Sequence, residues 1–408
     1  MRMAQQICCA TAALCYALVV GWMGGVSMNC YDRDQESDRL WRYFENGKNV
    51  LMLAPRRIGK TILLNRLKEE SESKGFHAVL LDVQGYREEK AFFSQLCASI
   101  QEEVGIGQAV ISALTDRLRR LFHGAESQRD WRTILLATDW TEFADHLLSQ
   151  LEETQEGEAN HRWLVLVDEI AVFTKALLDA EGKQKAHDFL YKLRNLRQKH
   201  RNVLWLYTGS IGLDAIARRN DIEGALVDME IVPLEPFARE TAIGFLNNIA
   251  QRRGCSFTAE ALDIVLSRLG WFSPYYLEKI AEVACDKTNE GREIGPPVAD
   301  HAANSLLDLT YRTYWATWRE HLDKNFTEPD RTHLFALLAA IAQSPDGASV
   351  GTLLQILNTG DNPRTSATLN GFLDTLECDG YLSADPARTR FRFRMNLLRE
   401  WWLRYVAV

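Results

Sequence analysis

The chain has 408 residues, 46% of them hydrophobic and 25% charged, with a formal net charge of −8 and a pI of about 5.7. These values exclude a disordered or fibrous chain and allow two to three domains with real cores. They argue against a whole-surface grip on nucleic acid, while leaving room for a local basic patch.

The N-terminal segment stands apart. Residues 3–31 carry no charge, and Ile7 to Val26 are largely apolar, about the length that spans a bilayer. Three readings compete: a signal peptide with Arg2 as its positive start, a membrane anchor, and a start codon assigned too early, with Met28 as the true beginning. As an anchor, residues 7–26 would leave the rest of the chain cytoplasmic, because Arg33, Arg39, Arg42 and Lys48 follow them and only Arg2 precedes them. The early start is favoured, since the segment is rich in Cys, Gly and Ala and the periodic pattern begins only near Asp34. Cys8, Cys9, Cys15 and Cys30 fall in this tract, and Cys97, Cys255, Cys285 and Cys378 are scattered singly. Without a CxxC pair or zinc-ligand spacing, they read as free thiols of a reducing compartment.

From Asp34, "ESDRLWRYFENGKN" predicts a short amphipathic helix closed by Gly47, and "VLMLA" a buried strand. A helical pattern runs from Thr61 to about Ser73, followed by a strand at residues 77–83 and a helix through "EEKAFFSQLCASIQEEV". Residues 108–154 read as helical and surface-rich, with breaks near Gly124 and Asp130. "RWLVLVDEI", residues 162–170, is a third strand, apolar on both faces as buried parallel strands are. A helix from about Lys183 to Lys199 leads to a fourth strand at residues 203–210. Strands alternating with helices predict a parallel sheet covered on both faces.

From "EPFARETAIGFLNNIAQRRG" onward the pattern is helical, with Gly254 and Gly270 as stops. "GPP", residues 295–297, precedes one long Trp-containing helix expected around residues 300–324, and "EPD" at 328–330 is a second break. The last 78 residues read as helices at 331–343, 348–358 and 366–378, then the strands "GYLSAD" and "TRFRFRM". Three helices closed by a hairpin are the winged-helix pattern.

"APRRIGKT", residues 54–61, is the phosphate-loop pattern xxxxxGK[ST] between a strand and a helix. A helix N-terminus is already electropositive, so Arg56, Arg57 and Lys60 there call for an anion, here a nucleoside triphosphate. The candidate nucleotide contacts are Ala54, Pro55, Arg56, Arg57, Ile58, Gly59, Lys60, Thr61 and Ile62. Backbone N–H groups of residues 57–62 would wrap the β-phosphate, Lys60 would reach the β- and γ-oxygens, and Thr61 would hold Mg²⁺. The motif's first position is Ala54 rather than Gly, which loosens the match because alanine resists positive φ.

The strand ending in Asp168-Glu169 supplies a carboxylate pair where open α/β sheets bind ligands. Asp168 is the expected Mg²⁺ ligand through water, and Glu169 the group that polarises the attacking water. Signal export ranks last for the N-terminus, since it would strand an ATP-dependent domain where ATP is scarce. At the end of the fourth strand, Ser210 or Thr208 is placed to sense the γ-phosphate, or else forms a Gly-Ser turn. Arg218 and Arg219 read as an exposed helix face, with an arginine finger to a neighbouring subunit as the sharper alternative. Pro274, in "LGWFSPYYLEKIAE", marks a helix start that approaches the nucleotide in the lids of some nucleotide switches, with no arginine after it at the second-sensor place.

In the C-terminal unit Arg388, Arg390, Arg392, Arg394, Arg399 and Arg404 accompany one acid, Glu400. Strand alternation puts Arg390, Arg392 and Arg394 on one side and Phe391 and Phe393 on the other. That is either a wing on a phosphate backbone or a solvated strand face over a core. "RTSATLNGFLDTLECDG" has no basic residue after Arg364, which disfavours sequence-specific reading of DNA.

"LMLAPRRIGKTILLNRL", "VLVDEI", "YTGSIGL", "PLEPF", "SPYYL" and "FRFRMNLLREWW", in this order over residues 34–408, resemble the archaeal-type P-loop ATPases. That prokaryotic family borders the STAND and AAA+ ATPases. The resemblance implies an α/β fold: a P-loop NTPase parallel sheet, a helical lid and a C-terminal winged helix. The expected division is 1–30 for the apolar segment, 31–235 for the ATPase core, 236–300 for the lid, and 301–408 for a linker helix and winged helix. It further implies ATP and Mg²⁺ as cofactors and slow hydrolysis of ATP to ADP and phosphate by a cytoplasmic switch. A DNA or protein partner at the winged helix, a homo-oligomer, and membrane contact only through residues 7–26 complete the expectation. An ATP-dependent DNA-binding module and a non-catalytic scaffold are the alternatives.

Overall fold

The computed structural model describes residues 31–103, 139–153, 162–209, 212–288, 292–359 and 364–407. The apolar segment 7–26, Met28, the expected helical stretch up to residue 138 and Ser210 lie outside the described residues.

Helix α1 (Asp34–Glu45) buries Leu40, Trp41 and Phe44 and runs into Gly47, which takes the positive φ (69°) needed to turn into the first strand. Next come β1 (Asn49–Leu53), α2 (Lys60–Glu70), β2 (Phe76–Asp82), α3 (Glu89–Glu103) and α4 (Trp140–Glu153). Strand β3 (Arg162–Asp168), helices α5 (Ile170–Glu181) and α6 (Lys183–Lys199), β4 (Val203–Gly209), α7 (Leu213–Arg219) and β5 (Met229–Pro233) follow. Among the described residues these strands form one five-stranded parallel sheet in the order β2-β3-β4-β1-β5.

The strand sequences explain why both faces are covered. Val50 and Met52 of β1, Leu164 and Leu166 of β3, and Leu204 and Leu206 of β4 enter one core. Their neighbours Leu51, Trp163, Val165, Val167, Val203, Trp205 and Tyr207 enter the other, which α3 to α7 cover.

Two elements of this half go beyond the sequence pattern. Strand β5, "MEIVP", carries Glu230 and Pro233, but it lies at the sheet edge beside β1, where one ladder suffices and a terminal proline is tolerated. Helix α5 begins directly after Asp168-Glu169, and Gly182 (φ 86°) separates it from the predicted α6.

The segment expected as the helical lid, residues 236–300, contains α8 (Arg239–Arg252), β6 (Ser256–Phe257), α9 (Ala259–Leu269), α10 (Pro274–Asp286), β7 (Glu293–Ile294) and the start of α11 (Pro296–Ser305). The single long helix expected near residues 300–324 is corrected to two, α11 and α12 (Arg312–Asn325), with a 3₁₀ turn at Leu309–Tyr311 between them. The bend lets α11 bury Ala299, Ala302 and Ala303 while α12 returns Trp315 and Trp318 to the lid. There Trp315 stacks on Tyr276 at 4.4 Å, and its indole donates to Leu306 O at 2.7 Å.

The C-terminal unit contains α13 (Asp330–Gln343), β8 (Ala348–Ser349), α14 (Val350–Leu357), α15 (Ser366–Cys378), β9 (Leu382–Ala384), β10 (Arg390–Phe393) and α16 (Asn396–Tyr405). Its three helices and hairpin form the winged-helix arrangement, to which β8 adds a third antiparallel strand and α16 a closing helix beyond the pattern. Phe391 and Phe393 are buried while Arg390 and Arg392 are exposed, as alternation requires. One apolar core runs unbroken from α1 and α2 through the lid to α16. Among the described residues no helix is long and apolar enough to cross a membrane.

Candidate nucleotide-binding site

Strand β1, between β4 and the edge strand β5, delivers the chain to the loop of residues 54–59, and α2 carries it away. Two loop residues adopt left-handed backbone, Arg57 (φ 66°) and Gly59 (φ 94°), the latter at the N-cap of α2. Ala54 is not among the positive-φ residues, so its departure from glycine costs no backbone strain there. Lys60, 7% exposed, donates to Ala54 O at 3.2 Å and Pro55 O at 3.0 Å. Burial pushes its ammonium below the usual range, opposed by the Glu169 and Asp168 carboxylates.

Between β1 and β3 the sheet interposes only β4, so the end of β3 lies next to the start of α2. Thr61 Oγ1 donates to Asp168 Oδ2 at 2.7 Å, and the Glu169 N–H donates to Asp168 Oδ1 at 3.0 Å. Asp168 is 4% exposed, and burial raises its carboxyl above the ordinary value, against the Thr61 hydrogen bond. Glu169 is held in left-handed backbone (φ 60°) at the N-cap of α5 and lines the cavity in front of the loop.

That cavity, about 610 Å³, has two unlike ends. Residues 56–62, Gln84 and Glu169 form a polar end, rich in N–H groups and cations. Tyr31, Phe237, Phe245 and Ile249 form an aromatic and apolar end. The Tyr31 and Phe245 rings lie 5.1 Å apart, and those of Phe237 and Phe245 5.3 Å. Arg33 joins the ends, donating to Ile58 O at 3.1 Å with its guanidinium 4.7 Å from the Phe237 ring. A flat ring at one end and a chain of phosphates at the other match this shape.

The motif reading missed Tyr31, Arg33, Phe237 and Phe245. Tyr31 and Arg33 precede the periodic pattern, "PLEPF" is a local signal for Phe237 alone, and Phe245 lies within helix α8.

The loop is also gripped from outside. Ser273 Oγ donates to Arg57 O at 2.7 Å, and the Arg57 guanidinium lies 4.3 Å from the Tyr275 ring. Arg56 donates to Thr317 O of α12 at 2.9 Å, and Gly380 packs so closely on Pro55 that a Cβ there would stand 2.7 Å from Pro55 Cβ.

Other expected residues are placed differently. Thr208 is fully buried, its hydroxyl has no partner among the described residues, and it does not line the cavity. Arg219 turns toward the C-terminal unit, where it bonds Thr375 Oγ1 and sits 5.0 Å from the Phe326 ring, while Arg218 stays at the surface near Glu223. Arg388 is paired with Asp374 and Glu377 of α15 at 2.6 Å each.

Sheet order, loop and lid together define a class: the chain has the fold of the archaeal-type P-loop ATPases. No protein-family model matches the sequence, and no curated protein matches it. Among solved structures it is similar to the Walker-type ATPase PABY2304 of Pyrococcus abyssi, at 17% identity and a TM-score of 0.64 over 92% of this chain and 96% of that one. It is also similar to the Aeropyrum pernix ORC2 protein, solved in ADPNP–ADP complexes, at 14% identity and a TM-score of 0.56 over 95% and 98% of the two chains. At such identities the likeness is one of fold, the fold that the motif resemblance implied.

Proposed function

We propose that the protein is an ATP-binding P-loop ATPase that hydrolyses ATP to ADP and phosphate and acts as a nucleotide-dependent switch on a partner. The observation that carries this reading is the Thr61–Asp168 hydrogen bond beneath Lys60, with Glu169 turned into the same cavity. The aromatic end takes the adenine. The N–H groups of residues 57–62 take the phosphates, and Lys60 exchanges the carbonyls of Ala54 and Pro55 for β- and γ-oxygens.

A hydroxyl hydrogen-bonded to a buried carboxylate is a hard-oxygen set suited to Mg²⁺. Thr61 and Asp168 would hold that ion, which neutralises phosphate charge when bound. Glu169 accepts a proton from the attacking water as it adds to the γ-phosphorus. Ser210 and Pro274 stay assigned to phosphate sensing and to the lid side of the nucleotide. Arg218, exposed on α7, is the arginine an adjoining copy would meet, and turnover is slow without such a partner.

The winged helix is the output arm. Its α15 has no Lys or Arg, and it neutralises Arg388 of the wing, which favours a protein partner over DNA.

Steady-state phosphate release tests the reading. Glu169→Gln is expected to lower kcat by about 10²-fold or more while MgATP still binds. Wild-type turnover in this variant would remove Glu169 from the mechanism.

A further inference from the structure

The consecutive arginines of the loop are divided between two parts of the molecule. Arg56 is held by α12. Arg57 is held by the lid at both of its ends: its carbonyl accepts from Ser273 Oγ at 2.7 Å, and its guanidinium stands 4.3 Å from the Tyr275 ring. Ser273 is fully buried, and Pro274 fixes the first turn of α10 between these two contacts. Arg57 occupies a left-handed conformation, φ 66°, that a residue with a Cβ rarely adopts. Among the described residues no carboxylate pairs with Arg57, and both Arg57 and Tyr275 line the cavity that Lys60 and Thr61 line.

A guanidinium lying on an aromatic face keeps its N–H edge available to phosphate oxygens, which a lysine ammonium does less well. The position after Pro274 carries this ring. Lys279, the cation one turn on, is 5.9 Å from the Tyr275 ring and paired with Glu282 at 2.6 Å.

We infer that Arg57 reads the terminal phosphate for the lid, with the Tyr275 ring as its seat, so that the loop supplies the charge by which the lid distinguishes a triphosphate from a diphosphate. This deepens the ATPase reading of the same cavity and rests on it. A γ-phosphate that draws the Arg57 edge inward moves a residue fixed to the start of α10 at two points, and so moves α10. Tyr275 acts here as a positioning residue. Its contribution is to hold the guanidinium plane, and its hydroxyl is not needed.

Calorimetric titration with MgADP and with the magnesium complex of a non-hydrolysable ATP analogue tests this. The proteins are the wild type, Arg57→Gly, Arg57→Lys, Tyr275→Leu, Tyr275→Phe and, as a lid cation on the same cavity, Arg252→Ala. Glycine is chosen at position 57 because it accepts positive φ freely. Arg57→Gly is expected to weaken the analogue about tenfold or more while MgADP stays within about twofold, which also shows that the site is folded. Tyr275→Leu is expected to lower the analogue-to-ADP preference about threefold, and Tyr275→Phe to restore it, because the aromatic face is what matters. Arg57→Lys should fall between, keeping charge without the planar fork.

Equal loss of both ligands in Arg57→Gly would reduce Arg57 to a structural role and overturn the inference. So would loss of the preference in Arg252→Ala alone, or an unchanged preference in Tyr275→Leu. A wild type that binds neither nucleotide would instead defeat the ATPase reading itself.

Discussion

Asp379 and His321 show how much of this molecule rests on single buried groups. Asp379 is 2% exposed, and burial pushes its carboxyl up to about 7, with Arg219 and Arg56 opposing. His321 Nε2 lies 3.8 Å from Asp379 Oδ2, and burial, helped by Arg56 and Lys60, pushes the imidazole down to about 3. The folded chain therefore keeps a proton on Asp379 between its ordinary 3.8 and about 7, a contribution to stability lost as pH rises through 7. It leaves His321 neutral between about 3 and its ordinary 6.5, a contribution lost as pH falls from 6.5. Over the shared range the folded and unfolded chains hold the same number of protons on this pair, so the two slopes cancel. Relative to wild type, Asp379→Asn should therefore give a Tm that rises from about pH 4.5 to about pH 6.5, and His321→Gln one that falls over the same range. Thermal unfolding at both pH values checks this, and slopes of one sign in both variants would refute it.

Among the elements, the turn from α15 into β9 is tightly constrained. Gly380 has φ 90°, and a Cβ added there would meet Pro55 of the phosphate loop at 2.7 Å. Gly380→Ala is expected to cost about 1–3 kcal/mol for the backbone alone, and more for the displaced contact, measurable by urea unfolding. Because the displaced atom belongs to the loop, MgATP affinity should drop with it. Elements with strong local patterns were legible in the sequence: β1, β3 and β4 are continuous apolar runs, and α6 matches its predicted bounds from Lys183 to Lys199. Strand β5 was not, because a five-residue edge strand with a glutamate and a proline has no period of its own and is selected by its ladder with β1. The bend between α11 and α12 was not either. Residues 300–324 have helical composition throughout, and the packing of Trp315 and Trp318 against Tyr276 rewards folding back.

For the whole molecule, the unbroken core from α2 to α16 is the governing fact. Trp315, Trp318 and Trp402 are fully buried within it, and Tyr381 of the C-terminal unit meets both α12 and α16, at 4.9 Å from Trp318 and 6.2 Å from Trp402. Separating the lid from the C-terminal unit would expose these rings. The two should therefore unfold in one transition, with calorimetric and van't Hoff enthalpies in agreement. A resolved low-temperature transition for the C-terminal unit would show that the shared core is weaker than its burial implies.

The sequence by itself determined the parallel sheet, the loop of residues 54–61 and the carboxylates Asp168 and Glu169. Each is written in contiguous residues whose spacing and chemistry are local. Only the tertiary structure decided that Thr61 meets Asp168, that Tyr31 and Phe237 close one cavity, and that Arg56 and Arg57 part toward α12 and the lid. Those contacts join residues as many as 261 positions apart, and no local periodicity encodes them. They form when burial of the shared apolar core brings distant segments together and leaves their polar groups to find partners there.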